Sequence, residues 1–172
     1  MNTNNIEAQA VKILEAVGIN EAADIDVKRI AQYLNVNVQS TTLEADISGL
    51  FVIKDNKPYI RYNRDEHEHR WRFTIAHELG HFLLHKDVPL FVDRKEKIFF
   101  RNTQSATGEV MRERQANAFA AALLMPKHFI EQELGNVPSN KEPVSHLAKV
   151  FNVSMMAMSF RLSNLGYDFG LF

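Results

Sequence analysis

Apolar residues recur at helical spacing near the start of the chain. Ile6, Ala10, Ile13, Leu14 and Val17 place one stripe on a helix over residues 5 to 17, and Gly18 follows as its stop. A second short helix is predicted from Asp26 to Leu34, with Val27, Ile30, Ala31 and Leu34 facing inward. Val36-Asn37-Val38-Gln39-Ser40 alternates instead and reads as a strand. Leu50, Val52 and Ile53 precede the turn-forming cluster Asp55-Asn56-Lys57-Pro58, and Tyr59-Ile60-Arg61-Tyr62 follows it, so Ser48 to Tyr62 reads as a hairpin. Wound as a helix, residues 66 to 86 are apolar over most of their circumference, through Trp71, Ile75, Ala76, Leu79, Phe82 and Leu83. Such a helix is buried. Asn63 with Glu66, or Asp65 with Glu68, offers its N-terminal capping box.

From Asp87 to Gly108 the pattern is lost, and Arg94, Lys95, Lys97 and Arg101 surround Ile98-Phe99-Phe100. A loop of that length is a substrate flap or a disordered connector, and the residues do not choose between them. Helical spacing returns over residues 109 to 125, closed by Pro126. It continues over His128 to Leu134, Val144 to Phe151 and Ser154 to Leu165, with Gly135-Asn136 and Pro138-Ser139 as turns. The expected fold class is α+β: a mostly helical single domain over residues 1–172, with a small β-sheet (the hairpin) packed beside a pair of helices. The last two helices, within residues 144–165, are joined like a helix-turn-helix. The second of them carries Met155, Met156, Met158 and Phe160 with one basic residue, Arg161, so core packing is the expected role rather than base reading.

Composition changes this picture little. The 172 residues are 45% hydrophobic and 24% charged, as in an ordinary globular domain. A net charge of −1 supplies no field to attract nucleic acid or an anionic membrane, so no direct binding of either is expected. The absence of cysteine removes disulfides, thiolate metal ligands and thiol nucleophiles together. Met1 to Glu7 lacks the basic-then-apolar pattern of a signal peptide, and no apolar run approaches the ~18 residues of a membrane span. A soluble, cytoplasmic protein is expected.

The chemistry is concentrated in His77-Glu78-Leu79-Gly80-His81. Residues four apart on a helix are offset by only about 40°, so both imidazoles can bind one Zn²⁺. Glu78, about 100° away, can reach a water on the metal and act as its general base. Arg70, Thr74, His77, His81 and His85 share one narrow stripe of this buried helix, and buried histidines need partners. The metal then needs a third protein ligand. Glu113 stands on a face of small residues, with Ala116, Asn117, Ala120 and Ala121 three, four, seven and eight positions on. Another helix can approach that face closely, helped by Gly80, and a carboxylate there is costly without a cation. Glu113 is therefore the expected third ligand, with Asn117 donating a supporting hydrogen bond. Glu109 is the reserve, and an ordinary ion pair between Glu113 and Arg112 or Arg114 is the alternative. His85, eight residues after His77 with no glycine turn between, is expected to support the site rather than ligate.

Taken with both helices, the chain resembles the ImmA/IrrE family of metallopeptidases. The resemblance rests on His77-Glu78-Leu79-Gly80-His81-Phe82-Leu83-Leu84-His85, on Glu113-Arg-Gln-Ala116-Asn117-Ala-Phe119-Ala120, and on Leu123-Leu124-Met125-Pro126. It covers essentially the whole chain. It implies a gluzincin-like zinc endopeptidase with one Zn²⁺ per chain, His77, His81 and Glu113 as ligands and Glu78 as base. It also implies a substrate, a helix-turn-helix repressor whose cleavage releases genes of a mobile element or a stress response. Some relatives are instead half of a toxin–antitoxin pair, so the alternative expectation is a non-proteolytic partner of such a regulator.

Overall fold

The computed structural model describes residues 3–85, 90–94 and 105–167. The fold is α+β, mostly helical, with one small sheet. Helix α1 (Thr3–Val17) ends as its glycine predicts: Gly18 takes φ +74° and Ile19 N–H donates to the Leu14 carbonyl at 2.9 Å. Helix α2 (Val27–Tyr33) is capped by Asp26, whose carboxylate accepts from Lys28 N–H at 2.8 Å and Arg29 N–H at 3.3 Å.

Strands β1 (Asn37–Thr41), β2 (Ile47–Lys54) and β3 (Lys57–Asn63) follow. The β2–β3 loop is only Asp55-Asn56, and both residues take positive φ, 50° and 58°, as a type I′ turn requires. Lys57 and Pro58 belong to β3 rather than to the turn. The missing N–H of Pro58 costs the β1 ladder nothing, because that ladder begins at Tyr59 opposite Asn37. Strand order is β1-β3-β2-β4, with β1 parallel to β3 and the other pairs antiparallel. The fourth strand, β4 (Leu90–Arg94), lies in the stretch expected to be patternless; Leu90-Phe91-Val92 pairs against Val52-Phe51-Leu50. Neither hairpin strand is therefore an edge of the sheet. The basic residues from Lys95 to Arg101 and Ile98-Phe99-Phe100 lie outside the described residues, and so does the choice between flap and connector.

Helix α3 (Glu68–Leu84) lies across this sheet. It starts later than either capping box predicts, with His67 as N-cap, because Asn63 and Glu66 are already engaged. Asn63 bonds Asp65 N–H and the Ile47 carbonyl, while Glu66 accepts from the Ser48 hydroxyl at 3.0 Å. Phe82 packs on Phe51 and Trp71 on Tyr62, with ring centroids 5.7 and 5.3 Å apart. The Lys28 ammonium covers the Trp71 ring at 4.5 Å. At Gly49 the two layers come so close that any Cβ would overlap the Thr74 methyl.

Helix α4 (Ser105–Leu124) packs on the opposite side of α3 and against α1. Helices α5 (Lys127–Leu134), α6 (Pro143–Val150) and α7 (Met155–Asn164) complete the fold. Glu142 caps α6 and Ser154 caps α7. Met158, Arg161 and Leu162 turn α7 inward, and the Arg161 guanidinium bonds the Met125 carbonyl and both oxygens of Glu7. The other face of α7 stays exposed through Met155, Met156 and Phe160. One apolar cluster runs from Ile6 on α1 to Leu162 on α7.

The Gly49 contact gives a direct test of how α3 is seated. Gly49→Ala should cost roughly 1–3 kcal/mol through overpacking against Thr74. Thr74→Ser removes the obstructing methyl and should return most of the loss, read from urea unfolding midpoints. An unchanged midpoint in Gly49→Ala would contradict this seating.

Candidate metal centre

The centre forms where α3 and α4 cross. A Cβ on Gly80 would lie 3.0 Å from Ala116 Cα and 3.2 Å from its carbonyl oxygen, so glycine lets the two backbones approach. Glu113, one turn before Ala116 and Asn117 on α4, is thereby carried to the histidine face of α3. Among the described residues, His77, His81 and Glu113 form a group whose ligand atoms all lie within 4.8 Å of one another. Their separations suit a single ion. His77 Nε2 and His81 Nε2 are 3.0 Å apart, and each lies 3.4 Å from a Glu113 oxygen. Ligand atoms on a tetrahedral zinc with bonds of about 2.0–2.1 Å stand roughly 3.3–3.4 Å apart.

The surrounding hydrogen bonds orient each ring. Asn117 Oδ1 accepts from His77 Nδ1–H at 2.9 Å, which leaves Nε2 of that ring facing the centre. On the other side, His85 Nε2–H donates to Gln115 Oε1 at 3.0 Å. His85 Nδ1 therefore accepts, and His81 Nδ1–H donates to it at 3.1 Å. His81 Nε2 is left as a second lone pair facing the centre. Two imidazole lone pairs and a carboxylate thus converge with their protons turned away. This set of donors fits a divalent cation.

Burial strengthens the case. His77 and His81 are buried, and His81 is held neutral: burial pushes its pKa down to about 4, and the nearby His77 and His85 act in the same direction. Glu113, which would accept from and attract the protonated ring, opposes that shift without reversing it. Glu78 is fully buried on α3 beside His77. Glu109, the reserve ligand, is exposed on α4 and not part of the cluster. Asn117 does contact the site, but as an acceptor for His77 rather than as a donor to Glu113. Gln115 went unassigned in the sequence; its only signal is its place two residues after Glu113, because its partner His85 is brought to it by the fold.

Residues 31–163 match the model of a peptidase family described as the IrrE N-terminal-like domain. The chain belongs to this family. Among curated relatives of this family member, "Uncharacterized immunity region protein 2" of Bacillus phage phi105 is 30% identical over 105 residues, 60% of each chain. "Metallopeptidase ImmA" of Bacillus subtilis (strain 168) is 29% identical over 114 residues, 66% of this chain and 60% of that one. The chain thus spans 60% of the length of both relatives. A solved structure described as a Mycobacterium tuberculosis transcriptional regulator shares the fold, with a TM-score of 0.67 at 18% identity over 93% of this chain and 46% of that one. The family implies a metal, and the His77–His81–Glu113 cluster fits its site.

Two predictions follow from the geometry. His85→Ala and Gln115→Ala keep all three ligands but release the His81 ring, so each should weaken metal binding by about 10–100-fold in calorimetric titration. Affinity equal to the parent would mean that the relay orients nothing. The second concerns the metal-free protein. An unfolded histidine takes up a proton near ~6.5, whereas folded His81 resists it down to about 4. The unfolded state therefore binds more protons between those values, and this part of the stability is present above the unfolded pKa and lost as pH falls through the window. In chelator, the urea midpoint should drop from pH 7 to pH 4.5 more steeply for the parent than for His81→Gln. Equal slopes would contradict the assignment.

Proposed function

We propose that the chain is a zinc-dependent endopeptidase that cleaves a helix-turn-helix transcriptional repressor and so derepresses mobile-element or stress-response genes. The observation that carries the peptidase reading is the convergence of two imidazole lone pairs and the Glu113 carboxylate beside a buried Glu78. Two nitrogens and one carboxylate, with a coordination position left for water or substrate, are a ligand set suited to catalytic zinc. Zn²⁺ bound there would polarise the scissile carbonyl and bring the pKa of a water towards ~7.

The chain's own residues do the rest. His77, His81 and Glu113 would hold the ion, with Asn117 and the His85–Gln115 pair keeping the imidazoles in the ligating tautomer. Glu78 would take the proton from the attacking water and pass it to the nitrogen of the departing amine. Burial keeps bulk water from competing for that proton. The substrate class rests on the resemblance to ImmA/IrrE proteins, and on a relative whose name ties it to a phage immunity region. A repressor substrate would place the reaction in the cytoplasm.

The test is the intact mass of a helix-turn-helix regulator encoded beside this chain, after incubation with zinc-loaded protein. Glu78→Gln should keep the metal and lose at least ~10²-fold in cleavage rate. Clipping by the parent alone supports the proposal and gives the cut site. A stable complex without clipping by either protein refutes it and moves the reading to a non-proteolytic partner of the regulator. Equal clipping by both removes Glu78 from the role of base.

A further inference from the structure

The sheet ends in β4 on one side and in β1 on the other. Among the described residues no strand pairs with β1 on the side away from β3. The Thr41 carbonyl accepts from Arg64 N–H at 2.9 Å, just beyond the end of β3. Thr41 therefore turns its backbone groups towards β3, and by alternation so do Asn37 and Gln39. Val38 and Ser40 direct theirs outward. Such an edge is a template for another strand and is commonly blunted by a charge, a proline or a bulge. Strand β1 has none of these: Asn37-Val38-Gln39-Ser40-Thr41 holds no charged residue and no proline, and its register with β3 is unbroken.

A groove of about 630 Å³ lies at this edge, lined by Lys28 and Gln32 of α2, Asn37 and Val38 of β1, and Lys57 and Tyr59 of β3. Among the described residues no acidic side chain lines it, and none of its residues belongs to the candidate metal centre. The Lys28 ammonium is held over the Tyr62 and Trp71 rings, 5.3 and 4.5 Å from their centroids, on the side of the sheet that packs on α3. Lys57 and Arg61 stand on the opposite face, since they alternate with the buried Ile60 and Tyr62. Arg61 is exposed there, directly opposite Gln39 of β1. Cations thus flank the edge on both faces of the sheet.

We propose that this edge docks an extended acidic segment of a partner protein. The segment adds a strand beside β1, pairing with the backbone of Val38 and Ser40, and its carboxylates meet Lys28, Lys57 and Arg61. Backbone pairing supplies affinity, and the flanking cations select an acidic sequence. Docking here needs neither a metal nor Glu78, so it stands apart from the peptidase reading. The probes are three fluorescein-labelled nonapeptides, centred on Glu-Val-Glu-Val-Glu, Lys-Val-Lys-Val-Lys and Glu-Pro-Glu-Pro-Glu. The last keeps the charge but lacks N–H groups that a strand must donate. With the full chain carrying Glu78→Gln, fluorescence anisotropy should show the first bound at least tenfold more tightly than either other, equally in zinc and in chelator. Ser40→Pro removes an outward N–H and spares the β3 ladder, so it should weaken binding at least tenfold while the melting temperature holds. Ser40→Val keeps that N–H and should bind like its parent. Lys57→Glu, an exposed change, should also lose at least tenfold.

Equal binding of the two acidic peptides would reduce the site to bulk charge and overturn the added strand. Binding of none, binding that requires zinc, or Ser40→Pro and Lys57→Glu variants that bind like their parent would overturn it too. A dimer seen by sedimentation and dissolved by Ser40→Pro would give the edge to a second copy of the chain. Labelled oligothymidylate bound as tightly as the acidic peptide, and indifferent to Ser40→Pro, would give the cations to nucleic acid instead. Absence of repressor cleavage refutes the peptidase reading and leaves each of these outcomes unchanged.

Discussion

The close crossing of α3 and α4 at Gly80 is the constraint on which the site depends. Glu113 is 32 positions beyond His81 in the numbering and reaches the histidines only because nothing larger than hydrogen stands between Gly80 and the Ala116 backbone. The same contact places Asn117 under His77 and Gln115 against His85. The candidate ligands and the groups that orient them therefore share one packing event. On the opposite side of α3, Gly49 allows the sheet the same intimacy at Thr74. The helix is held between two layers, with glycine at the tight point of each.

Electrostatics explains why such a helix carries histidines at all. His77, His81 and His85 are all buried, along with Glu78. Polar groups in that position are costly unless each finds a partner. The hydrogen-bond chain from Gln115 through His85 to His81, and the separate bond from Asn117 to His77, satisfy the outer nitrogens. The inner nitrogens face each other and Glu113, where one bound cation would join all three groups. The folded chain is thus arranged for a cation before any ion arrives, which keeps the reorganisation needed for binding small.

Much of this was legible along the chain because it is local. The spacing of His77 and His81 is a property of any helix, and the small-residue face around Glu113 announces a close neighbour. The caps Asp26, Glu142 and Ser154 follow the same short-range logic. What escaped depends on contacts distant in sequence. Strand β4 is short and sits in a basic stretch, so only pairing with β2 defines it. The true cap of α3 is His67 because Asn63 and Glu66 are taken by groups near the start of β2, a competition invisible in the residues from 63 to 68 alone. Gln115 has a role only through the rotation that faces it to His85. On α7, helical periodicity puts Met156 and Met158 on opposite faces, but apolar residues on both faces left no sign of which one is buried.

The central claim is that His77 and His81 turn Nε2 lone pairs, not protons, towards a shared ion. Long-range ¹H–¹⁵N correlation spectra of the imidazoles, recorded with and without zinc, test it most directly. The account predicts Nδ1–H tautomers for both rings before the metal is added, and zinc-shifted Nε2 resonances on both afterwards, with His85 keeping its Nε2 proton. Nε2–H tautomers on His77 and His81 with no response to zinc, or zinc shifts confined to other histidines, would contradict it.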